Sequence, residues 1–509
     1  MYPRGMKLGA VGFALFGLVC CSGQNESSTP PATTSGPGGT TTTSTSGGGS
    51  GGGCSAPCPS GICEDGECKD NQIAASAWPG SKYDAEITRL ADGTFFSAGG
   101  NPSLDTIGHG LTASHVAADG TTVLAQVDCG TMTSAQSERV TRVIPIGSDV
   151  LVLDSHTGDP LDIGGGVTIT GNVFVAARLG VDGTGKWATL IQGVLATSDF
   201  DVVGEAAVDG AGNVWLYVLP TMAPFRVNGV DIAATNFSPM ILKLDPSTGQ
   251  LLTSRALVPG APGACAFSNM VCGGAKAPPH PMMVGTDSGF VIAGEASGQC
   301  DFGGGPIPSA GVAYSMGYAA RFDASISHVW SRVFPGGTAP NFKAGLQGTI
   351  VAMDGATLYV AGEIFPYQAV DFGTGPVTGS MAVARLDPAT GDTIFAKAYA
   401  GTATYHTTAL GLVASPGGVA VAGKTDAGED FGVSDLGPGS GAYVLKLDPT
   451  GGSRWLHTYA GVDALPGLRL LSAGDENVVL VAHGTSMDFG QGPLADSASK
   501  LALAMLRLP

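Results

Sequence analysis

The stretch Leu358–Gly401, LYVAGEIFPYQAVDFGTGPVTGSMAVARLDPATGDTIFAKAYAG, restricts this chain to very few folds, because its grammar recurs before and after it. An apolar run (Leu358 to Glu363) enters a Gly-rich crossing built on Asp371-Phe372-Gly373. A second run (Met381 to Leu386) meets a tight turn, Asp387-Pro388-Ala389-Thr390-Gly391, and a third run ends at Tyr399. Recurrence at a period of about sixty residues, with no sustained helical period, marks a repeat architecture whose units bury their apolar faces against their neighbours.

The clearest element is a short apolar run bounded by turn residues, the pattern of a strand buried on both faces. It occurs as Phe95-Phe96-Ser97-Ala98, Val150-Leu151-Val152-Leu153, Val214-Trp215-Leu216-Tyr217-Val218, Phe290-Val291-Ile292-Ala293, Leu358-Tyr359-Val360-Ala361, Val419-Ala420-Val421-Ala422 and Val478-Val479-Leu480-Val481. A third strand follows each, and many end in one turn: Asp245-Pro246-Ser247-Thr248-Gly249, Asp387 to Gly391, and Asp448-Pro449-Thr450-Gly451-Gly452. Asp bonds backbone amides, Pro presets its own φ and Gly supplies a positive one, so the motif closes a hairpin. A calcium loop needs several carboxylates per turn, and these turns offer one or two. Outer strands carry an aromatic at a matching place (Trp187, Trp330, Phe395, Trp455), with Leu124 and Leu252 as stand-ins, and this side chain is expected to pack one unit on the next.

Six units have four strands, and the last, from Leu468, stops after its third. Its outer strand is expected at the other end of the chain, where Ala75-Ser76-Ala77-Trp78-Pro79-Gly80 mimics Val329-Trp330-Ser331-Arg332-Val333-Phe334-Pro335-Gly336. Pairing first strand with last blade closes a ring and leaves no free edge there. The expected fold is all-β: a seven-bladed β-propeller of four-stranded blades, closed by the N-terminal strand. A β-helix, the alternative for Gly-rich repeats, has shorter turns.

Before residue 71 the composition changes. Arg4, Lys7 and the uncharged run Leu8 to Val19 form an export signal too short to span a bilayer. Leu18-Val19-Cys20-Cys21 resembles a bacterial lipobox, with Cys20 in the slot usually held by Gly, Ala or Ser. The resemblance implies cleavage after residue 20 and a lipid on Cys21. Ser22 at the next position implies the outer membrane of a Gram-negative cell. Residues 21–53, almost wholly Ser, Thr, Gly and Pro, cannot offset the entropy of ordering and form a tether with a reach on the order of 30 Å. Cys54, Cys58, Cys63 and Cys68 follow at spacings unlike a zinc ribbon. In an oxidising compartment they form a two-disulfide knot over residues 54–70, with three connectivities open. The propeller occupies 71–509.

Val360-Ala361-Gly362-Glu363, Asp371-Phe372-Gly373-Thr374-Gly375-Pro376 and Ala384-Arg385-Leu386-Asp387-Pro388 resemble the repeat of SBBP-type β-propeller proteins, common in exported myxobacterial lipoproteins. The Asp-Phe-Gly crossing recurs at Asp301, Asp430 and Asp488 and is altered at Leu161-Asp162-Ile163-Gly164. The resemblance covers most of the body, most closely its last four units. It implies the propeller fold and a cell-envelope setting, and it transfers no catalytic residues. The Leu-Asp-Pro-x-Thr-Gly turns are also similar, more loosely, to repeats of quinoprotein dehydrogenases and of the outer-membrane assembly lipoprotein BamB.

Chemistry is sparse. The eight histidines form no metal-binding spacing; His109 and His115, six apart, come nearest and have no third ligand. No GxSxG surrounds a serine. Cys265 and Cys272 are expected to close a small disulfide in the Pro259–Pro281 loop, with Cys129 and Cys300 either free or, for one of them, joined to that group. A formal charge of −18, from 24 Lys+Arg against 42 Asp+Glu, disfavours nucleic acid and anionic headgroups, which need basic patches. The expectation is a lipid-anchored outer-membrane lipoprotein without cofactor or metal. Its propeller would bind a protein or glycan, with the Pro259–Pro281 and Pro366–Ser380 loops as contacts. The alternative is a quinoprotein-like or hydrolytic enzyme with its site at the central channel.

Overall fold

The computed structural model describes residues between 62 and 507, apart from 65–66, 70–71, 78–85, 101–108, 132–137, 159, 195–203, 222–223, 235–237, 258–264, 269–281, 308–315, 337–344, 365–368, 400–406, 426–430, 432–440, 460–461, 464–467, 475–476, 485–486, 490–493 and 495–499. Every regular element among them is a β-strand. Blade 5 shows the plan: Leu346–Asp354 (inner), Thr357–Ile364 (second), Met381–Leu386 (third) and Thr393–Tyr399 (outer) pair antiparallel in that order. Blades 1, 3 and 6 are likewise four-stranded, and in blade 4 two short inner segments share the second strand. Inner strands contact one another in sequence around the ring, and that of blade 7 returns to that of blade 1. The molecule is a seven-bladed β-propeller.

The continuous apolar runs exist because both faces of each blade are covered. Leu358 and Val360 belong to the core between blades 4 and 5, and Tyr359 and Ala361 to the core between blades 5 and 6. Period-two alternation thus sends successive residues into different seams, and seven apolar clusters fill the seven seams.

The Asp-Pro turns sit at one end of the blades, where they bind the blade before. Asp387 Oδ1 accepts the amides of Ala389 and Thr390, and Asp448 Oδ1 those of Thr450 and Gly452, so these carboxylates are committed to the turn. Trp330 Nε1 and Arg321 Nη1 of blade 4 both donate to the Pro388 carbonyl, at 2.9 and 2.6 Å. Trp187 and Arg178 of blade 2 do the same to Pro246 of blade 3, at 3.0 and 2.6 Å. The indole lies so close that a Cβ on Gly391 would stand 2.7 Å from Trp330, and Gly391 has φ +73°. Gly is therefore required twice over, by conformation and by contact.

The Asp-Phe-Gly crossings cover the seams from outside. Asp371 Oδ1 accepts the amides of Gly373 and Gly375, which directs Phe372 into the seam against Phe334 of blade 4. Phe431 packs at a tilt against Tyr399, and Phe489 against Tyr459, in the same way. In the altered copies Ile163 enters the seam between blades 1 and 2, and Phe225 that between blades 2 and 3. The hairpin after Phe225, Arg226–Val227 with Val230–Asp231, also pairs with the outer strand of blade 2 and extends that sheet to six strands. The four strands of blade 2 thus keep the common plan and carry this hairpin as an addition at their outer edge.

Closure occurs as expected: Gln72–Ala77 pairs antiparallel with Lys500–Arg507 as the outer strand of blade 7. Its register aligns Ala75, Ser76 and Ala77 with Ser331, Arg332 and Val333 of blade 4. Ala74 stands opposite Met505, the place that Trp330 holds opposite Arg321. The expected roles of Leu124 and Leu252 are corrected. Each is a bulged, exposed residue, and the positions matching Trp330 are Ala125 and Thr253. One such bulge follows the turn in all seven outer strands.

Candidate functional site

Antiparallel blades give the ring two unlike ends. The turn end carries the inner-to-second and third-to-outer hairpins, which are short. The loop end carries the crossings and the connections between blades; Cys265–Ser268 lies there, and the remainder of Pro259–Pro281 and the start of Pro366–Ser380 fall outside the described residues. At the loop end the inner and second strands carry a set of charged side chains.

The residues opposite the fourth position of each second strand are Glu86, Arg142, Glu205, Ile350, Gly411 and Arg469, and the Met282 carbonyl accepts from Ala293 at the same level in blade 4. Around blades 7, 1, 2 and 3 the signs alternate: Arg469, Glu86, Arg142, Glu205. Arg469 pairs with Glu86 across the closing seam, and Arg142 Nε meets Glu205 Oε1 at 2.8 Å. Glu205 also accepts the amides of Ala206 and Met282. Two residues further along the second strands, blades 4 to 7 carry Glu295, Glu363, Lys424 and His483. Glu295 Oε1 accepts the Gly348 amide at 2.6 Å, joining blades 4 and 5. Every blade thus contributes a charged or imidazole side chain to a collar at this end. Its carboxylates are buried, and an isolated buried charge is costly without partners. The partners seen for Glu86, Glu205 and Glu295 are guanidinium groups or backbone amides.

The turn end is different. Asp119 is held at about 2 by the amides of Thr121 and Thr122. For Asp448 burial opposes ionisation, but hydrogen bonds from Thr450 and Gly452 prevail and hold it also at about 2. These acids are structural caps. Among the described residues no group of three His, Cys, Asp or Glu side chains is placed to hold a metal. His115 Nε2 bonds the Thr94 hydroxyl at 2.9 Å, and His109 lies six residues away on the same strand.

Of the sequence-derived sites, Cys21, Cys54, Cys58 and Cys272 lie outside the described residues. Cys63 and Cys68 stand directly opposite each other in a hairpin, Ile62–Glu64 with Glu67–Lys69. Cys265 begins a strand paired with Glu295–Gly298 at the loop end of blade 4. The two open cysteines differ: Cys300 is disulfide-bonded, whereas Cys129 is a free thiol pushed up to about 11 by burial and by Asp128 and Asp162. The collar was not singled out from the sequence. Its trace is there, in the charges that end the apolar runs at Glu295, Glu363 and Lys424.

No protein-family model and no curated protein matches the chain. Solved structures do. BamB from Moraxella catarrhalis is similar at 14% identity over 86% of this chain and 99% of that one, with a TM-score of 0.38. The quinohemoprotein alcohol dehydrogenase ADHIIG from Pseudomonas putida HK5 is similar at 12% identity over 82% and 65%, with a TM-score of 0.37. The phage phi92 endosialidase is similar at 9% identity over 86% and 69%, with a TM-score of 0.38.

Proposed function

We propose that this chain is a cell-envelope binding or scaffold module, held to the outer membrane by a lipid on Cys21, whose propeller presents its loop end to a protein or glycan partner. One observation carries the reading: the two ends of the ring are built for different tasks. At the turn end, short hairpins spend their polar groups on capping themselves and latching the neighbouring blade. The closing strand starts at this end, since Gln72 pairs with Leu506 near the end of the third strand. The Cys hairpin ends three residues earlier, at Lys69, so the upstream chain joins the body there. An anchor attached through it leaves the loop end, with its collar and long connections, free for a partner.

The test is capture from detergent-solubilised envelope and from a glycan array, with the full chain as probe. A second probe has residues 258–281 replaced by a short Gly-Ser linker. The expected result is a protein or glycan retained by the first and lost or weakened with the second. Equal retention by both, or none by either, would count against the loop end as the binding surface. A cofactor absorbance in the purified chain would favour the enzymatic alternative. Palmitate labelling that persists in Cys21→Ser would remove the anchor from the proposal.

A further inference from the structure

The seam between blades 5 and 6 differs from its sister between blades 4 and 5 at the loop end. In the sister seam the first inner-strand pair is Leu346 opposite Ile364, both fully buried in the apolar core. The corresponding pair in blade 6 is Thr407 opposite Thr425, and both are 0% exposed. Blade 5 faces them with a second polar pair, Gln347 opposite Glu363, at 3% and 7% exposure. The faces follow from the alternation. Tyr359 and Ala361 point into this seam, hence so does Glu363; Val419 and Val421 point into it from blade 6, hence so does Thr425. Cross-strand partners share a face, which adds Gln347 and Thr407.

Thr407 Oγ1, Thr425 Oγ1 and Gln347 Nε2 are buried without a hydrogen-bond partner among the described residues. A buried hydroxyl or amide left unpaired costs about 1–3 kcal/mol, so native structures satisfy such groups. Three together around one strand pair, where the matching pair of the sister seam is Leu346 with Ile364, point to something that binds them. Its chemistry can be read from the set. Two hydroxyls both donate and accept, a carboxylate accepts, and an amide NH₂ only donates. A cation needs acceptors alone and would be opposed by the amide. Water needs both senses.

We propose that ordered water occupies the loop-end of this seam, bound by Gln347, Thr407, Thr425 and Glu363 and bridging blade 5 to blade 6. The site is a wet joint between these two blades, and it shares Glu363 with the collar. Water with three or so polar partners is a structural element and costly to remove.

Two variants and one crystal structure test this. Thr407→Val with Thr425→Val keeps shape and removes both hydroxyls. The expected result is a melting temperature lowered by about 2–4 °C. Thr407→Leu with Thr425→Ile rebuilds the aliphatic pair of the sister seam and is expected to recover part of that loss while expelling the water. A high-resolution crystal structure of the wild-type chain should show density within hydrogen-bond distance of both threonines. An unchanged or raised melting temperature in the valine variant would mean a dry seam, because deleting unpaired hydroxyls stabilises. Melting that rises with sodium, potassium, calcium or magnesium at fixed ionic strength, and ceases to do so in the valine variant, would replace water with a cation. Either outcome overturns the proposal.

Discussion

Ile326 has φ +60°, a conformation strained for a β-branched residue, and it occupies the place that Gly451 holds in blade 6. The explanation lies across the seam. Where the preceding blade presents a large ring, as Phe395 does to Gly451, a Cβ would come within 2.9 Å and Gly is needed. Where blade 3 presents Thr253 instead, the space is open, and Ile326 fills it at 1% exposure. Two conventions for one joint, Gly with an aromatic or Ile with Thr, follow from the same volume. Ile326→Gly should therefore destabilise the chain by about 1–3 kcal/mol, the cavity outweighing the relief of strain. Thr253→Trp should be worse than neutral alone but should restore stability in the Ile326→Gly background. A double-mutant cycle by urea unfolding measures the coupling, and additive effects would contradict the exchange.

The capped turn, as an element, makes the protein sensitive to acid in a defined window. The Asp119 and Asp448 carboxylates are held at about 2 against an ordinary value of 3.8. A depressed pKa contributes stability that is present above the ordinary value and is lost as pH falls through the folded one. Unfolding free energy should thus be flat near neutrality and decline between about pH 4 and pH 2. Asp448→Asn should show a shallower decline over that window, which urea titrations at stepped pH will report. The turn was legible in sequence because Asp, Pro, Thr and Gly each have a local reason to be there. The crossing hairpin was only half legible. Its Asp-Phe-Gly copies stand out, but Phe225 does the same work in a sequence, Pro224-Phe225-Arg226-Val227, with neither the Asp nor the Gly. What is conserved physically is an apolar plug for the seam, and Phe372→Ala and Phe225→Ala should each cost about 3–5 kcal/mol despite their different surroundings. A much smaller loss for Phe225, in the same unfolding assay, would show that the two hairpins are not equivalent.

The ring as a whole was legible from counting strands, whereas its charged collar was not. Register decides which charges meet. Arg469 and Glu86 lie 383 positions apart (469 − 86) yet pair because blade 7 adjoins blade 1. The same register explains the uneven stitching of the ring. A cation on the third strand clamps the next blade's turn at four successive seams, through Arg178, Lys243, Arg321 and Arg385. Blade 7 has Met505 at that place, which cannot donate, so closure depends on the Arg469–Glu86 pair, the apolar core and the first strand. Without Gln72–Ala77, Lys500–Arg507 would be an open edge that alternates apolar residues, a template for pairing with another chain. A chain beginning at Gln72, which lacks the cysteine hairpin, should remain monomeric with a near-native melting temperature. A chain beginning at Trp78 should melt lower and self-associate, as measured by light scattering after gel filtration. If both truncations behave alike, either the strand does not close the ring or the hairpin contributes to closure as much as the strand does, and restoring only the strand as a separate peptide separates those two cases.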